Sequence, residues 1–356
     1  MSRVSKSMLK NARPVYFIVD ALDECDQGFD GLIKLVSDSL ALSDKVRWLV
    51  SSRKQTNLLA QLGNLNKDNP GFIQTLAEVD VQSQKDRAEK YVEHKLSNLK
   101  DSESGATYTD SILKEVKEEA RKRAQDNFLW MFFVFNALEG ITGPYAVKCI
   151  ENHPFGLPEL YDHKLAAITS KEMSYHQYCW DVLMCISLTY RALSISELSV
   201  VADLPLKIDP HTIVKICNSF LIIKENTVTP IHKSAKDYLD NNRSRLQVKA
   251  VRGHADIARN SIEAMKPTLE IFQQYRSQSK DITPCKDLLG PIRYSCVFWL
   301  DHLRDAIKES PQNSRKLCDY GFRFMEEHFL NWLVSLSLLR KLPDGIVSVR
   351  VLLHAL

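Results

Sequence analysis

Residues 14–26 read Pro-Val-Tyr-Phe-Ile-Val-Asp-Ala-Leu-Asp-Glu-Cys-Asp, and this stretch decides the predicted fold. Positions 15–19 are apolar, and the chain turns acidic from Asp20 onward. A run that is apolar on both faces predicts a strand buried in a parallel sheet, with acids at its carboxyl end. A segment of helical spacing over 29–42 leads to a second such run, Val-Arg-Trp-Leu-Val, at 46–50. Strand, helix and strand in this order predict a βαβ unit.

The acids after the first predicted strand carry the most informative chemistry. Four apolar residues followed by Asp20 form a Walker B pattern, at the sheet edge where nucleotides bind in doubly wound sheets. Asp20 is therefore a candidate ligand for Mg²⁺, through water, because magnesium keeps part of its hydration. Asp23 or Glu24, slightly further on, is suited to polarise an attacking water. The alternative is that Asp20 caps a turn and the other two acids are solvated.

Arg53 closes the second predicted strand, in the sequence Ser51-Ser52-Arg53. The carboxyl ends of parallel strands lie at one sheet edge, so its guanidinium is suited to contact a terminal phosphate and report its presence. The alternative is a surface arginine that pairs with Asp23 or Glu24.

From Gln84 onward the pattern is mainly helical. An apolar segment over 128–138 has no polar face, which predicts a helix at the centre of a helical domain. Pro158, in Gly156-Leu157-Pro158, is suited to begin another helix. The remaining short or helical segments are a helix at 57–62, a strand within 72–81, and helices at 85–99, 248–265, 291–308, 314–339 and 344–356.

Residues 174–239 combine helices with a short hairpin, which predicts a small winged-helix unit. Ser194 and Glu197 stand at capping-box spacing at the start of one helix. Two β runs flank Glu225-Asn226, a turn sequence. His232 then opens a further helix.

Composition excludes several classes of protein. The chain has 356 residues, 26% of them charged, and a net charge of +3, which are values of a globular protein without a strong basic bias. We expect no nucleic-acid binding, because the helix at 211–217 carries one lysine. No apolar run reaches the roughly 18 residues of a membrane span, and no signal peptide is visible, so we expect a cytoplasmic protein without a membrane partner. No Cys/His cluster has zinc-ligand spacing.

Several motifs in order resemble a fungal NACHT-type signal-transduction NTPase of the STAND class, related to NLR immune receptors and especially to heterokaryon-incompatibility-type proteins. The motifs are YFIVDALDECD, KVRWLVSSR, NFLWMFFVFNAL, GLPELYDHKLAAI and PIHKSAKDYL. RYSCVFWLDHL and FMEEHFLNWLVSLSLLRKL resemble the linker that precedes WD or other repeats in such proteins. The resemblance spans about 14–356, nearly the whole chain.

The resemblance implies a mixed α/β then mostly α fold in four parts. They are a partial NACHT nucleotide-binding domain with Walker B and sensor but no Walker A (1–82), a helical domain (83–172), a winged-helix domain (173–245) and a helical linker region (246–356). In this family ADP is held in a closed resting state, and exchange for ATP opens the chain and drives oligomerisation.

The resemblance also assigns roles to single residues. Asp20 is the Walker B magnesium residue, Asp23 and Glu24 are the hydrolytic acids, and Arg53 is the sensor. His232 matches the winged-helix histidine that contacts the β-phosphate of ADP, and the helix start at Asn127 would lie near the adenine. Without the family context, a lone histidine at this position is more often a capping or surface residue.

The family's phosphate-binding loop, GxxxxGK[ST], does not occur in these 356 residues. That loop supplies the backbone amides and lysine that hold the phosphates. We therefore expect a chain truncated before the P-loop, with no ATPase activity, little nucleotide binding and uncovered apolar surface on its sheet. Three interpretations stay open: a fragment, from a misplaced start, of an ATP/ADP-switched NTPase; a non-catalytic module that associates with itself or with full-length relatives; and a decayed gene product.

Overall fold

The computed structural model divides the chain into two compact units, Met1–Ser83 and Gln84–Leu356. It is mixed α/β at first and then mostly helical, as predicted. The described residues are 14–22, 29–43, 45–52, 81–125, 127–170, 174–250, 253–277 and 288–355. The helix predicted at 57–62, and the strand predicted within 72–81 except its last position, lie outside them.

The first unit contains a two-stranded parallel sheet. Strand β1 (Val15–Val19) pairs with β2 (Val46–Val50), and helix α1 (Phe29–Leu40) lies between them in the chain. The strands are in register over their whole length, with Phe17 opposite Trp48. The predicted strand, helix and parallel strand are confirmed.

The two faces of this sheet differ in exposure. Phe17 and Trp48 stack with ring centroids 4.6 Å apart. The Trp48 indole donates to Ser39 Oγ of α1 at 3.0 Å. The opposite face exposes three apolar side chains: Tyr16 (72%), Ile18 (72%) and Leu49 (66%). The prediction of strands buried on both faces is therefore wrong, because neighbouring side chains of a strand point to opposite faces and α1 packs on one of them. The expectation of uncovered apolar surface is confirmed.

The second unit begins with a group of helices in which α4 is the most apolar. Their bounds are α2 (Val81–Lys100), α3 (Asp110–Ala124), α4 (Phe128–Ala137), α5 (Gly143–Glu151) and α6 (Leu157–Ile168). Helix α4 is confirmed and buries Trp130, Met131 and residues 133–135, but Phe128 (40%) and Phe132 (37%) are exposed, so it is not buried on every side. It begins at Phe128 because the Asn127 side chain caps it, accepting from the Trp130 backbone N–H at 3.0 Å.

A three-stranded antiparallel sheet with helices follows. The elements are α7 (His176–Leu188), β3 (Leu193–Ser194), α8 (Ile195–Val201), α9 (Pro210–Ile216), β4 (Leu221–Lys224) and β5 (Thr227–Pro230), with strand order β3-β5-β4. The hairpin is confirmed, and its turn residues Glu225 and Asn226 both have positive φ, 47° and 63°, as in tight hairpin turns. The capping box of Ser194 and Glu197 is also confirmed.

The chain ends in helices. They are α10 (Lys233–Asn241), α11 (Arg243–Ala250), α12 (His254–Ser277), α13 (Arg293–Glu309), α14 (Pro311–Leu338) and α15 (Leu342–Ala355). The single helix predicted over 248–265 falls on two helices, the end of α11 and the start of α12. Gly253 before α12 is non-helical, and its N–H donates to Asp256 Oδ2 at 3.1 Å in the first turn of α12. The second unit is not divided further, so the predicted boundaries at 172 and 245 stay predictions.

Two apolar cores occur within the described part of the second unit. One joins side chains from α2 through α11, together with Ile257 of α12 and Tyr294 of α13. The other joins side chains from α12, α13 and α14 and is bordered by α15. Searched over the described residues, no helix has the length and apolarity to cross a bilayer.

Candidate functional site

Asp20 follows β1 at the carboxyl edge of the parallel sheet, and Ser51 follows β2 at the same edge. The Ser51 hydroxyl donates to Asp20 Oδ1. The Ser51 backbone N–H donates to the Val19 carbonyl, and its own carbonyl accepts from the Leu22 N–H, both at 2.9 Å. The Ala21 N–H donates to Ser51 Oγ at 2.9 Å. Ser51 thus ties the segment after β1 to the end of β2.

The chain turns sharply after Asp20. Ala21 has φ 53°, a left-handed conformation that is uncommon outside glycine, and the turn aims two successive N–H groups at Ser51. The Asp20 residue itself is exposed. A solvent-facing carboxylate with one oxygen bonded to a hydroxyl keeps the other oxygen available for hydrated Mg²⁺, which is the chemistry predicted for this position.

Three predicted site residues have no structural description. Asp23, Glu24 and Arg53 lie outside the described residues, so their roles stay predictions. Ser51, in contrast, is a functional candidate that the sequence analysis did not identify. The signal that identifies it is the register: residues that follow paired parallel strands meet at one edge.

His232 lies between β5 and α10 and caps the N-terminus of that helix. Its Nδ1 accepts from the Ser234 backbone N–H at 3.1 Å and lies 2.8 Å from Ser234 Oγ. The ring is exposed. The alternative of a capping histidine therefore describes its local structure, and contact with a nucleotide stays a proposal.

A buried aromatic cluster supports the segment that carries His232. Tyr161 of α6, Phe220 and Tyr238 of α10 have ring centroids 5.1–5.8 Å apart. The Tyr161 hydroxyl lies 3.1 Å from Ser234 Oγ. Burial raises the pKa of Tyr161, so this phenol keeps its proton over the ordinary pH range.

A second hydrogen bond anchors the same cluster. The Tyr238 hydroxyl donates to Asp162 Oδ1 at 2.7 Å. Arg245 also donates to that oxygen at 2.7 Å. Burial, and then the hydrogen bond to Asp162, raise the pKa of Tyr238. Sequence reasoning missed Tyr161, Ser234 and Asp162, because 73 to 83 residues separate the partners in these bonds and no local pattern connects them.

Two further motifs have structural roles. Asn127 is the cap of α4, and the Trp130 indole it helps to place donates to the Pro154 carbonyl at 2.9 Å. Gly156 has φ 74° and precedes the first turn of α6, which contains Pro158; this confirms the predicted helix start. Proximity of Asn127 to an adenine stays a prediction.

No group of three or more His, Cys, Asp or Glu side chains suited to hold a metal ion occurs among the residues that the structure describes.

Comparison with known proteins gives two matches. Residues 1–53, which include β1, α1 and β2, match the family described as Nephrocystin 3, N-terminal. The chain is also 28% identical to the vegetative incompatibility protein HET-E-1 of Podospora anserina over 377 aligned positions. That alignment covers 96% of this chain and 26% of the relative, so the chain spans about a quarter of the relative's length. No solved structure matches. Both matches support the resemblance to a fungal NACHT-type, HET-like protein.

Proposed function

We propose that this chain carries side chains that contact the nucleotide in a NACHT-type signalling protein. In such a protein, bound ATP or ADP with Mg²⁺ determines the conformation of the helical region. The observation that carries this proposal is the position of Asp20 at the carboxyl edge of a parallel sheet, bonded to the residue that follows the neighbouring strand. The match to a vegetative incompatibility protein over 96% of the chain supports a signalling role.

The proposed roles divide among five side chains. Asp20 holds Mg²⁺ through water, and Asp23 and Glu24 act on the attacking water. Arg53 contacts the terminal phosphate. His232 donates a hydrogen bond to the β-phosphate of ADP.

The order of elements supports a winged-helix unit around His232. Helix α7, strand β3, helices α8 and α9, and the β4–β5 hairpin follow one another, and β5 lies at the centre of the small sheet. We propose the four parts 1–82, 83–172, 173–245 and 246–356 as the functional division of the chain.

We further propose that these residues alone bind nucleotide weakly and do not hydrolyse it. A GxxxxGK[ST] loop provides most of the contacts to the phosphates in nucleotide-binding folds of this kind, and none occurs in the 356 residues. We expect a dissociation constant for MgADP weaker than about 1 mM, which corresponds to roughly 4 kcal/mol of binding free energy.

Equilibrium dialysis with labelled ADP at millimolar concentration tests this proposal. We expect weak, magnesium-dependent binding that is reduced in Asp20→Asn and in His232→Gln. The matched control is His211→Gln, because His211 is also an exposed histidine at the start of a helix. Tight binding would contradict the proposal, as would binding that Asp20→Asn leaves unchanged or equal losses in the His232 and His211 variants.

A specific observation favours a second candidate, a module that associates with itself or with related full-length proteins. The face of the β1–β2 sheet opposite α1 exposes Tyr16, Ile18 and Leu49. Exposed apolar patches often mark interaction surfaces.

Sedimentation of the purified chain tests this second candidate. We expect wild type to self-associate with increasing concentration, and Ile18→Glu to remain monomeric, because a charge on this face opposes its burial. The matched control is Leu206→Glu, since Leu206 is an exposed leucine outside the sheet. A wild-type chain that stays monomeric at all concentrations would contradict self-association.

A further inference from the structure

The N-terminus of α10 constrains where the proton of His232 lies. The backbone N–H of Ser234 is in the first turn of the helix, where it has no carbonyl partner within the helix. It donates instead to His232 Nδ1 at 3.1 Å. A nitrogen that accepts a hydrogen bond carries no proton, so a neutral His232 has its proton on Nε2.

The hydroxyl of Ser234 extends the same arrangement. Ser234 Oγ lies 2.8 Å from His232 Nδ1 and 3.1 Å from the Tyr161 hydroxyl. Since Nδ1 accepts, the Ser234 O–H donates to it. Ser234 Oγ in turn accepts from the Tyr161 O–H. Burial raises the pKa of Tyr161, so its hydroxyl keeps the proton that it donates. The direction of every bond in the series from Tyr161 to His232 is thereby determined.

Packing fixes the first member of this series. Tyr161 is 1% exposed. Its ring contacts Phe220 and Tyr238 at 5.2 and 5.1 Å between centroids. A fully buried side chain in contact with two other rings has little rotamer freedom, so its hydroxyl is a fixed reference point for Ser234.

We propose that Ser234 and Tyr161 are positioning residues that hold His232 as the neutral Nε2–H tautomer, with Nε2–H presented as a hydrogen-bond donor to an anionic oxygen. Nε2 makes no hydrogen bond to any of the described residues, and the ring is exposed. The use of this donor on a nucleotide phosphate rests on the proposed function, whereas the tautomer and its dependence on Ser234 and Tyr161 do not.

Nitrogen NMR of the full 356-residue chain, labelled with ¹⁵N at histidine, tests the proposal. The His232 signals are identified by their absence in His232→Gln. At pH 7.5 we expect the Nε2–H pattern, with the Nδ1 resonance displaced upfield by the bonds it accepts. Ser234→Ala should move Nδ1 downfield, Ser234→Thr should restore it, and Tyr161→Phe should give a smaller downfield shift.

Two comparisons separate positioning from a general effect on packing. Tyr161→Phe should have no further effect in the Ser234→Ala background, because Tyr161 acts through Ser234. Tyr238→Phe removes a buried hydroxyl from the same cluster, which bonds to Asp162 instead of Ser234, and should leave Nδ1 unchanged. An Nδ1–H tautomer, an unshifted Nδ1 in Ser234→Ala, or equal shifts in the two Tyr variants would overturn the proposal.

Addition of MgADP to the same sample distinguishes this proposal from the proposed function. If the tautomer results hold and the His232 Nε2 signal does not respond to MgADP, the proposed function fails and the positioning role stands. If the tautomer results fail, the positioning role is wrong whatever the response to nucleotide.

Discussion

The two sheets of this molecule place their candidate residues in different surroundings. Asp20 follows a strand whose sheet exposes Ile18 at 72% and Leu49 at 66% on one face. His232 follows a strand of the other sheet, in which Leu221 is only 2% exposed. The buried rings of Tyr161 and Phe220 pack next to that sheet. A side chain that rests on a filled core is held in one arrangement, whereas one at the end of a half-covered sheet depends on a few hydrogen bonds. We therefore expect the His232 region to resist local opening and the Asp20 region to open readily.

Two leucine substitutions, one in each sheet, should show the largest difference in unfolding free energy. Leu221→Ala removes a buried side chain from β4, and we expect a loss of about 2–5 kcal/mol in unfolding free energy from lost burial and a cavity. Leu49→Ala removes an exposed side chain from β2, and we expect a change within about 0.5 kcal/mol.

Hydrogen exchange of peptides from β4 and β2 measures the local loss of stability in each leucine variant. The Leu221 variant should lose protection throughout the small antiparallel sheet, and the Leu49 variant should match wild type. Equal losses in the two variants would break the comparison, because they would mean that Leu49 contributes to a packed core.

Acidification should cause the next largest loss of stability, and this loss should be confined to the second unit. His254 Nδ1 lies 2.7 Å from His302 Nδ1, and His302 Nε2 lies 2.7 Å from the Tyr294 hydroxyl. Burial lowers the pKa of His254 to about 4. Burial, followed by the neighbouring His254, also lowers the pKa of His302 well below its ordinary value. Both rings are therefore neutral in the folded protein at pH 7.

The sign of the pH effect follows from these depressed values. The unfolded chain, with histidine pKa near 6.5, binds more protons than the folded chain as pH falls from about 6.5 to about 4. Stability should be complete above pH 6.5 and fall through this window. We expect His254 alone to account for a loss of about 2 kcal/mol between pH 7.5 and 5.

Urea unfolding followed by circular dichroism at several pH values measures this loss. His254→Gln should flatten the dependence, since one titrating group is removed. Residues 1–83 contain no histidine, so the exchange of β1 and β2, corrected for intrinsic rates, should not change in this window. A stability independent of pH would contradict the buried neutral pair.

The smallest effect concerns the edge that carries Asp20. Ser51→Ala removes the acceptor of the Ala21 N–H and the donor to Asp20, and we expect about 1 kcal/mol less protection for Ala21 and its neighbours. Asp20→Asn keeps an oxygen acceptor for Ser51 and should change protection by less than about 0.5 kcal/mol. Hydrogen exchange distinguishes the two. A larger effect of Asp20→Asn would mean that the charge of Asp20, and not Ser51, holds this turn.

The features that sequence predicted best are those that neighbouring residues determine. The Glu225-Asn226 turn, the Ser194–Glu197 capping box and the helix start at Pro158 each depend on fewer than six consecutive residues, and all three are confirmed. The parallel pairing of β1 and β2 also followed from a local alternation of strand, helix and strand.

The features that sequence missed depend on contacts between distant residues. The bond from Ser51 to Asp20 joins positions 31 apart, and the contact of Tyr161 with Ser234 joins positions 73 apart. The sequence predicted uncovered apolar surface but also strands buried on both faces, because an apolar strand pattern does not report which face a second layer covers. The single helix predicted over 248–265 was wrong because Gly253 is non-helical. Its N–H donates to the Asp256 side chain, and a new helix begins there.

The central proposal is that His232 donates a hydrogen bond to a nucleotide phosphate, and one titration tests it most directly. The ¹⁵N-histidine spectrum of the 356-residue chain is recorded during addition of MgADP, with the exposed His211 as internal reference. We predict that the His232 Nε2 signal moves progressively while the His211 signal stays in place. A His232 signal that does not move, or that moves together with His211, would contradict the claim.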